Sequence, residues 1–172
     1  MNNQFSQRVS DILVYSKEEA NRLDNNYIGP EHLMLGLLRE GEGRAIQILN
    51  SLQIDLQKVK KEIEYKLGQE FEEKVLSDID EANVTLNNDA SKILKICILE
   101  ARKLKDSIAD TEHILLAILK NDNVATRILN KMNVNYEVIL EQIILKPDIK
   151  SGMGLSSDED EDEDGIKNES SA

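Results

Sequence analysis

Glu31-His32-Leu33-Met34-Leu35-Gly36-Leu37-Leu38 returns 81 residues later as Glu112-His113-Ile114-Leu115-Leu116-Ala117-Ile118-Leu119. Repetition at a fixed spacing decides architecture before any single residue does, because both copies must fold alike. The same shift places Ile12, Leu13, Glu19, Ala20 and Leu23 on Ile93, Leu94, Glu100, Ala101 and Leu104. After one deletion the shift becomes 80. Ala45, Ile48, Leu49 and Asn50 then match Ala125, Ile128, Leu129 and Asn130, and Leu52, Ile54, Val59 and Ile63 match Met132, Val134, Ile139 and Ile143.

Each copy reads as four helices. Phe5, Val9, Ile12, Leu13, Ser16, Ala20 and Leu23 follow the spacing of one buried helical face and predict a helix over 4–23. Asn25-Asn26 breaks it. A second helix starts at Pro30, whose fixed φ and missing N–H suit the first helical position. Its run 33–38 is apolar almost all round and belongs at the centre of the unit. Gly41-Glu42-Gly43 forms a tight turn into a short helix over 44–52, and Asp55 caps a fourth that runs to residue 67. In the second copy the helices fall at 88–105, 111–121, 123–132 and 135–145, with Asp110 as a cap. The expected fold is all-α: two pseudo-twofold-related four-helix repeats packed into one globular bundle. Repeat one covers about 4–67 and repeat two about 86–146, joined by a charged connector over 68–85, within a domain of 1–149. A unit of about 65 residues buries too little surface alone, so the copies are expected to pack together. Gly36 and Ala117, at matched positions, would permit close helix approach.

The chain has 172 residues, 40% of them hydrophobic, with two Phe, four Tyr and no Trp, so the core must be aliphatic. Its net charge is −12, and residues 156–172 carry eight acids against one Lys. The run Asp158–Asp164 is seven consecutive acids, which predicts a disordered acidic linker over 150–172. A folded part that is mildly acidic lacks the clustered cations that a nucleic acid needs. The single cysteine, Cys97, excludes an internal disulfide and fits a reducing, cytoplasmic location. No apolar stretch approaches the roughly 20 residues of a membrane span.

The repeated residues carry a family resemblance. The stretch 27–43, Tyr-Ile-Gly-Pro-Glu-His-Leu-Met-Leu-Gly-Leu-Leu-Arg-Glu-Gly-Glu-Gly, preceded by Ser16-Lys-Glu-Glu-Ala-Asn-Arg-Leu23, resembles the Clp N-terminal repeat, closest to the ClpC-type AAA+ unfoldases. The likeness extends over about 4–146. It implies a non-catalytic domain, monomeric in isolation, that receives adaptor proteins and unfolded or tagged substrates for a hexameric ATPase ring feeding the ClpP peptidase. It also implies a possible arginine or phosphoarginine pocket in each repeat, begun by Glu31 and Glu112. The chain contains no Gly-x-x-x-x-Gly-Lys-Ser/Thr, so no cofactor is expected here and ATP belongs to the parent unfoldase. A free-standing Clp-repeat adaptor protein is the alternative reading.

Each singled-out residue has a plainer reading. A carboxylate in a helix's first turn, as Glu31 and Glu112 would be, complements the helix dipole by about 0.3–1 kcal/mol. Beside exposed amides it can equally hold a guanidinium. Two departures from the family pattern bear on this: Pro30 stands where a hydroxyl residue is common, and Asp110 where glycine is. His32 and His113 lack the spacing of a metal site and read as buried hydrogen-bonding residues. A metal-dependent hydrolase built on Glu31, His32, Glu112 and His113 is the remote alternative. Cys97, which matches Ser16, reads as a small core residue.

Overall fold

The computed structural model describes residues 4–73 and 84–146. Eight helices are present among them: α1 (Gln7–Arg22), α2 (Pro30–Glu40), α3 (Arg44–Ser51), α4 (Leu56–Glu73), α5 (Asn88–Lys103), α6 (Thr111–Leu119), α7 (Val124–Lys131) and α8 (Tyr136–Leu145). The all-α, four-plus-four arrangement read from the sequence is therefore present. The proposed acidic linker at 150–172, and the connector from 74 to 83, lie outside the described residues.

Local chemistry fixes the helix starts. Ser6 and Asn87, 81 residues apart, each cap a first helix: Val9 N–H donates to Ser6 Oγ at 3.2 Å and Ala90 N–H to Asn87 Oδ1 at 2.9 Å. Asp55 accepts from Lys58 N–H at 3.2 Å and Asp110 from Thr111 N–H at 2.8 Å, as expected. Gly41 ends α2 at φ 73°, the left-handed conformation that glycine adopts without penalty.

Two expected boundaries shift by more than two residues. α1 begins at Gln7 rather than Gln4, because the preceding residues pair with the second repeat instead of coiling. α4 passes through Gly68 and reaches Glu73. A helical glycine costs only about 1 kcal/mol, and the good helix formers around Gly68 outweigh that cost.

The two repeats are tied by exchanged backbone pairings. β1 (Tyr27–Ile28) runs parallel to β2 (Thr85–Leu86), with Ile28 opposite Leu86. Phe5 bridges Ala109, and these positions are the repeat partners of Leu86 and Ile28. Matching hydrogen bonds run from Ser6 N–H to Ala109 O and from Asn87 N–H to Ile28 O, both 2.9 Å. A contact that returns with its partners exchanged is the mark of twofold symmetry.

The core is aliphatic. Leu33, Met34 and Leu37 of α2 and Ile114–Ile118 of α6 are fully buried. Gly36 does serve close packing, and its neighbour is α1 of its own repeat. A Cβ there would lie 2.4 Å from Ser16 Oγ and 2.7 Å from the Ile12 carbonyl oxygen. The second copy carries Ala117 and Cys97 at these two positions, both fully buried.

The described residues form two compact units, one up to Ile139 and one from Leu140. Among the described residues the second holds the end of α8, to Leu145, with Lys146 N–H donating to Gln142 O at 3.1 Å.

Candidate docking site

Glu31 and Glu112 occupy the second position of α2 and α6. Each faces the start of the third helix of the other repeat. Glu31 Oε2 accepts from Val124 N–H, the first amide of α7, at 3.1 Å. On the symmetry-related side, Thr111 Oγ1 accepts from Ala45 N–H in the first turn of α3 at 3.1 Å. Glu112 stands 3.8 Å from Arg44 Nη1, at the first position of α3. Two helix N-termini thus converge on each carboxylate and turn their partial positive charges towards it.

The two places differ in access. Glu112 has no solvent exposure and Arg44 is 8% exposed, so the second repeat's carboxylate lies beside a guanidinium from its own chain. Glu31 is half-buried, and the residue at Arg44's repeat position is Val124, which brings no charge. Gly43 is needed at this junction for space, since a Cβ would meet Thr111 Oγ1 at 2.4 Å. The turn reading of Gly41-Glu42-Gly43 therefore holds, with a packing reason for its second glycine.

Both histidines are structural. His32 Nδ1 accepts from Gly29 N–H at 2.9 Å and its Nε2 pairs with Asn25 Oδ1 at 2.7 Å. His113 Nδ1 accepts from Asp110 N–H at 2.8 Å and its Nε2 pairs with Asp106 Oδ2 at 2.9 Å. An amide donating to Nδ1 requires a lone pair there, so the ring proton sits on Nε2. Burial lowers the His32 pKa to about 4, against a smaller opposing pull from Glu19. Asp106, Glu112 and His113 gather their ligand atoms within 4.8 Å. For His113 to bind a metal through Nε2, it would first have to give up the proton it donates to Asp106. Cys97 is fully buried, and burial pushes its thiol pKa up, away from reactivity.

Arg44 and the histidine caps were not singled out in the sequence as parts of this junction. The histidines did carry a signal. Each stands three residues after its cap, where a side chain that reaches back to the cap amide completes a capping box.

Residues 4–145 match the Clp repeat N-terminal domain family. The chain belongs to that family. This Clp N-terminal domain is 37% identical over 141 residues to the negative regulator of genetic competence ClpC/MecB of Bacillus subtilis. It is 36% identical over 141 residues to the chaperone protein ClpB of Oceanobacillus iheyensis. Each match spans 81% of the chain and only 16% or 17% of the relative. Among solved structures, the N-terminal domain of Arabidopsis thaliana ClpD superimposes with a TM-score of 0.64 at 16% identity, covering 84% of this chain and 95% of that one. The Candida albicans Hsp104 N-terminal domain gives 0.64 at 18% identity, covering 83% and 91%. At such identities the likeness establishes the fold alone. No helix among the described residues is long and apolar enough to cross a membrane.

Proposed function

We propose that this domain docks adaptor proteins and unfolded or tagged substrates for a cytoplasmic ClpC-like, ATP-driven unfoldase that passes them to ClpP. The observation that carries the reading is the family match over 4–145, in relatives of which the chain spans about a sixth. The domain itself makes and breaks no bonds, and ATP is the business of the parent ring.

Glu31 is the residue assigned to recognition, through an arginine side chain of the incoming segment. Its half-buried carboxylate holds the position that corresponds, at the other junction, to Glu112, which Arg44 of repeat one approaches. That internal pair serves as a template for the intermolecular one. A phosphorylated arginine is the more demanding ligand, because Pro30 offers neither an N–H nor a hydroxyl to the phosphate.

Calorimetry with an arginine-containing unfolded peptide tests the reading. Heat of binding is expected with the wild-type chain and is lost with Glu31→Gln, which removes the charge but keeps an oxygen that can accept from Val124 N–H, at nearly unchanged thermal stability. Equal binding by both proteins refutes the assignment of Glu31. Absence of heat with free phosphoarginine at millimolar ligand rules out the phosphorylated mark.

A further inference from the structure

The duplication offers an internal comparison at a second place. In repeat one a cavity of about 330 Å³ is lined by Glu19, Leu35, Arg39, Ile46, Leu56 and Lys60, among others. The positions equivalent to Glu19, Arg39 and Leu56 in repeat two are Glu100, Lys120 and Tyr136.

There the phenol of Tyr136 lies between the equivalent groups. Its hydroxyl donates to Glu100 Oε1 at 2.6 Å, and Lys120 Nζ lies 4.9 Å from the ring centroid. Lys120 and Lys103 also donate to Glu100 Oε2, at 3.1 and 3.4 Å. Although burial works against it, these hydrogen bonds and charges hold Glu100 below its ordinary pKa.

Repeat one has the same two poles without the ring. Glu19 is 6% exposed and accepts three hydrogen bonds, from Arg22 Nη2 and Nε at 2.6 and 3.1 Å on Oε1 and from Arg39 Nη1 at 3.2 Å on Oε2. A carboxylate has about four acceptor positions, so these three bonds leave one, on Oε2, for a hydroxyl. Arg39 lies 4.6 Å over the Tyr15 ring, where cation–π attraction already operates. Leu56 stands where Tyr136 would be and carries no hydroxyl. An apolar cavity of about 150 Å³ is enough to admit benzene, so the space here exceeds what one aromatic ring requires.

We propose that this recess takes a tyrosine side chain from a docked protein segment, its hydroxyl on Glu19 and its ring against Leu35, Ile46 and Arg39. Repeat two supplies that tyrosine from its own chain, and repeat one accepts it from outside. The assignment rests on the docking reading above, and its test separates the two.

The uniformly ¹⁵N-labelled 172-residue chain is titrated with p-cresol, the tyrosine side-chain analogue, and in parallel with toluene. Shifts at the amides of Leu35, Arg39 and Ile46 are expected, with toluene weaker by roughly tenfold for want of the hydroxyl. Leu56→Tyr, which builds the repeat-two arrangement into repeat one, is expected to abolish the p-cresol shifts while keeping the thermal midpoint. Leu56→Phe, which fills the space without a hydroxyl, is expected to do the same. No shifts at these amides, toluene binding as tightly as p-cresol, or shifts undiminished in a folded Leu56 variant would each overturn the proposal. A chain that binds unfolded clients but not p-cresol loses this pocket alone. One that binds p-cresol here but no client keeps the pocket and loses the docking role.

Discussion

Replacing His32 by asparagine removes a fully buried ring that satisfies Gly29 N–H and Asn25 Oδ1 at 2.9 and 2.7 Å. A buried polar group left without its partner costs about 1–3 kcal/mol, so the two lost bonds together predict about 2–6 kcal/mol at pH 7. The same ring sets a pH dependence. Burial takes its pKa to about 4, below the ordinary 6.5, so the unfolded chain binds the proton first and folding opposes protonation. The difference corresponds to about 3 kcal/mol at 1.36 kcal/mol per pH unit. That stabilisation is complete above pH 6.5, is lost progressively as the pH falls towards 4, and is gone below it. Urea unfolding of wild-type and His32→Asn chains between pH 7 and 4 reads both effects. The stability gap between the two is expected to be widest at pH 7 and to narrow with acid. A gap that stays constant with pH, or an NMR titration placing His32 near 6.5, refutes the reasoning.

Three further outcomes follow from packing and charge. Gly36→Ala places a Cβ 2.4 Å from Ser16 Oγ and 2.7 Å from a backbone oxygen, and overpacking of this kind predicts a loss of about 2–3 kcal/mol in urea unfolding. Thr111→Val removes the hydroxyl that accepts Ala45 N–H and is expected to cost about 1 kcal/mol, read as a lower thermal midpoint. Glu112→Leu leaves the buried Arg44 without the carboxylate 3.8 Å away and is expected to cost about 3–5 kcal/mol. Adding Arg44→Met should recover most of that loss, measured as a double-mutant cycle.

Much of the fold was legible because duplication supplies its own control. The shift of 81, then 80, aligned Ile12 with Ile93 and Ala45 with Ala125, and the capping roles of Asp55 and Asp110 followed from residue type and place. What the sequence withheld depends on contacts between distant residues. Gln4, Phe5 and Ser6 looked like the first turn of a helix, and only their pairing with Ala109 draws them out of it. Gly68 looked like a stop, yet helix ends need a cap or a left-handed residue as well as a glycine, and α4 continues. At the candidate site, Glu31 and Glu112 were legible as first-turn carboxylates. Their unequal exposure was not, because it depends on Arg44 and Val124 arriving from the opposite repeat. The tyrosine recess was equally hidden: Leu56 against Tyr136 is a plain difference in the alignment, but the reach of the Tyr136 hydroxyl to Glu100 is a matter of geometry.

If the unequal repeat junctions present one accessible carboxylate to protein segments, that carboxylate is Glu31. Chemical-shift mapping of the ¹⁵N-labelled chain with an unfolded, arginine-bearing client measures this directly. Perturbed amides are expected at the starts of α2 and α7, around Glu31 and Val124, with the buried α3–α6 junction at Arg44 and Glu112 undisturbed. Perturbations confined to the α3–α6 junction, or no perturbation at millimolar client, would contradict it.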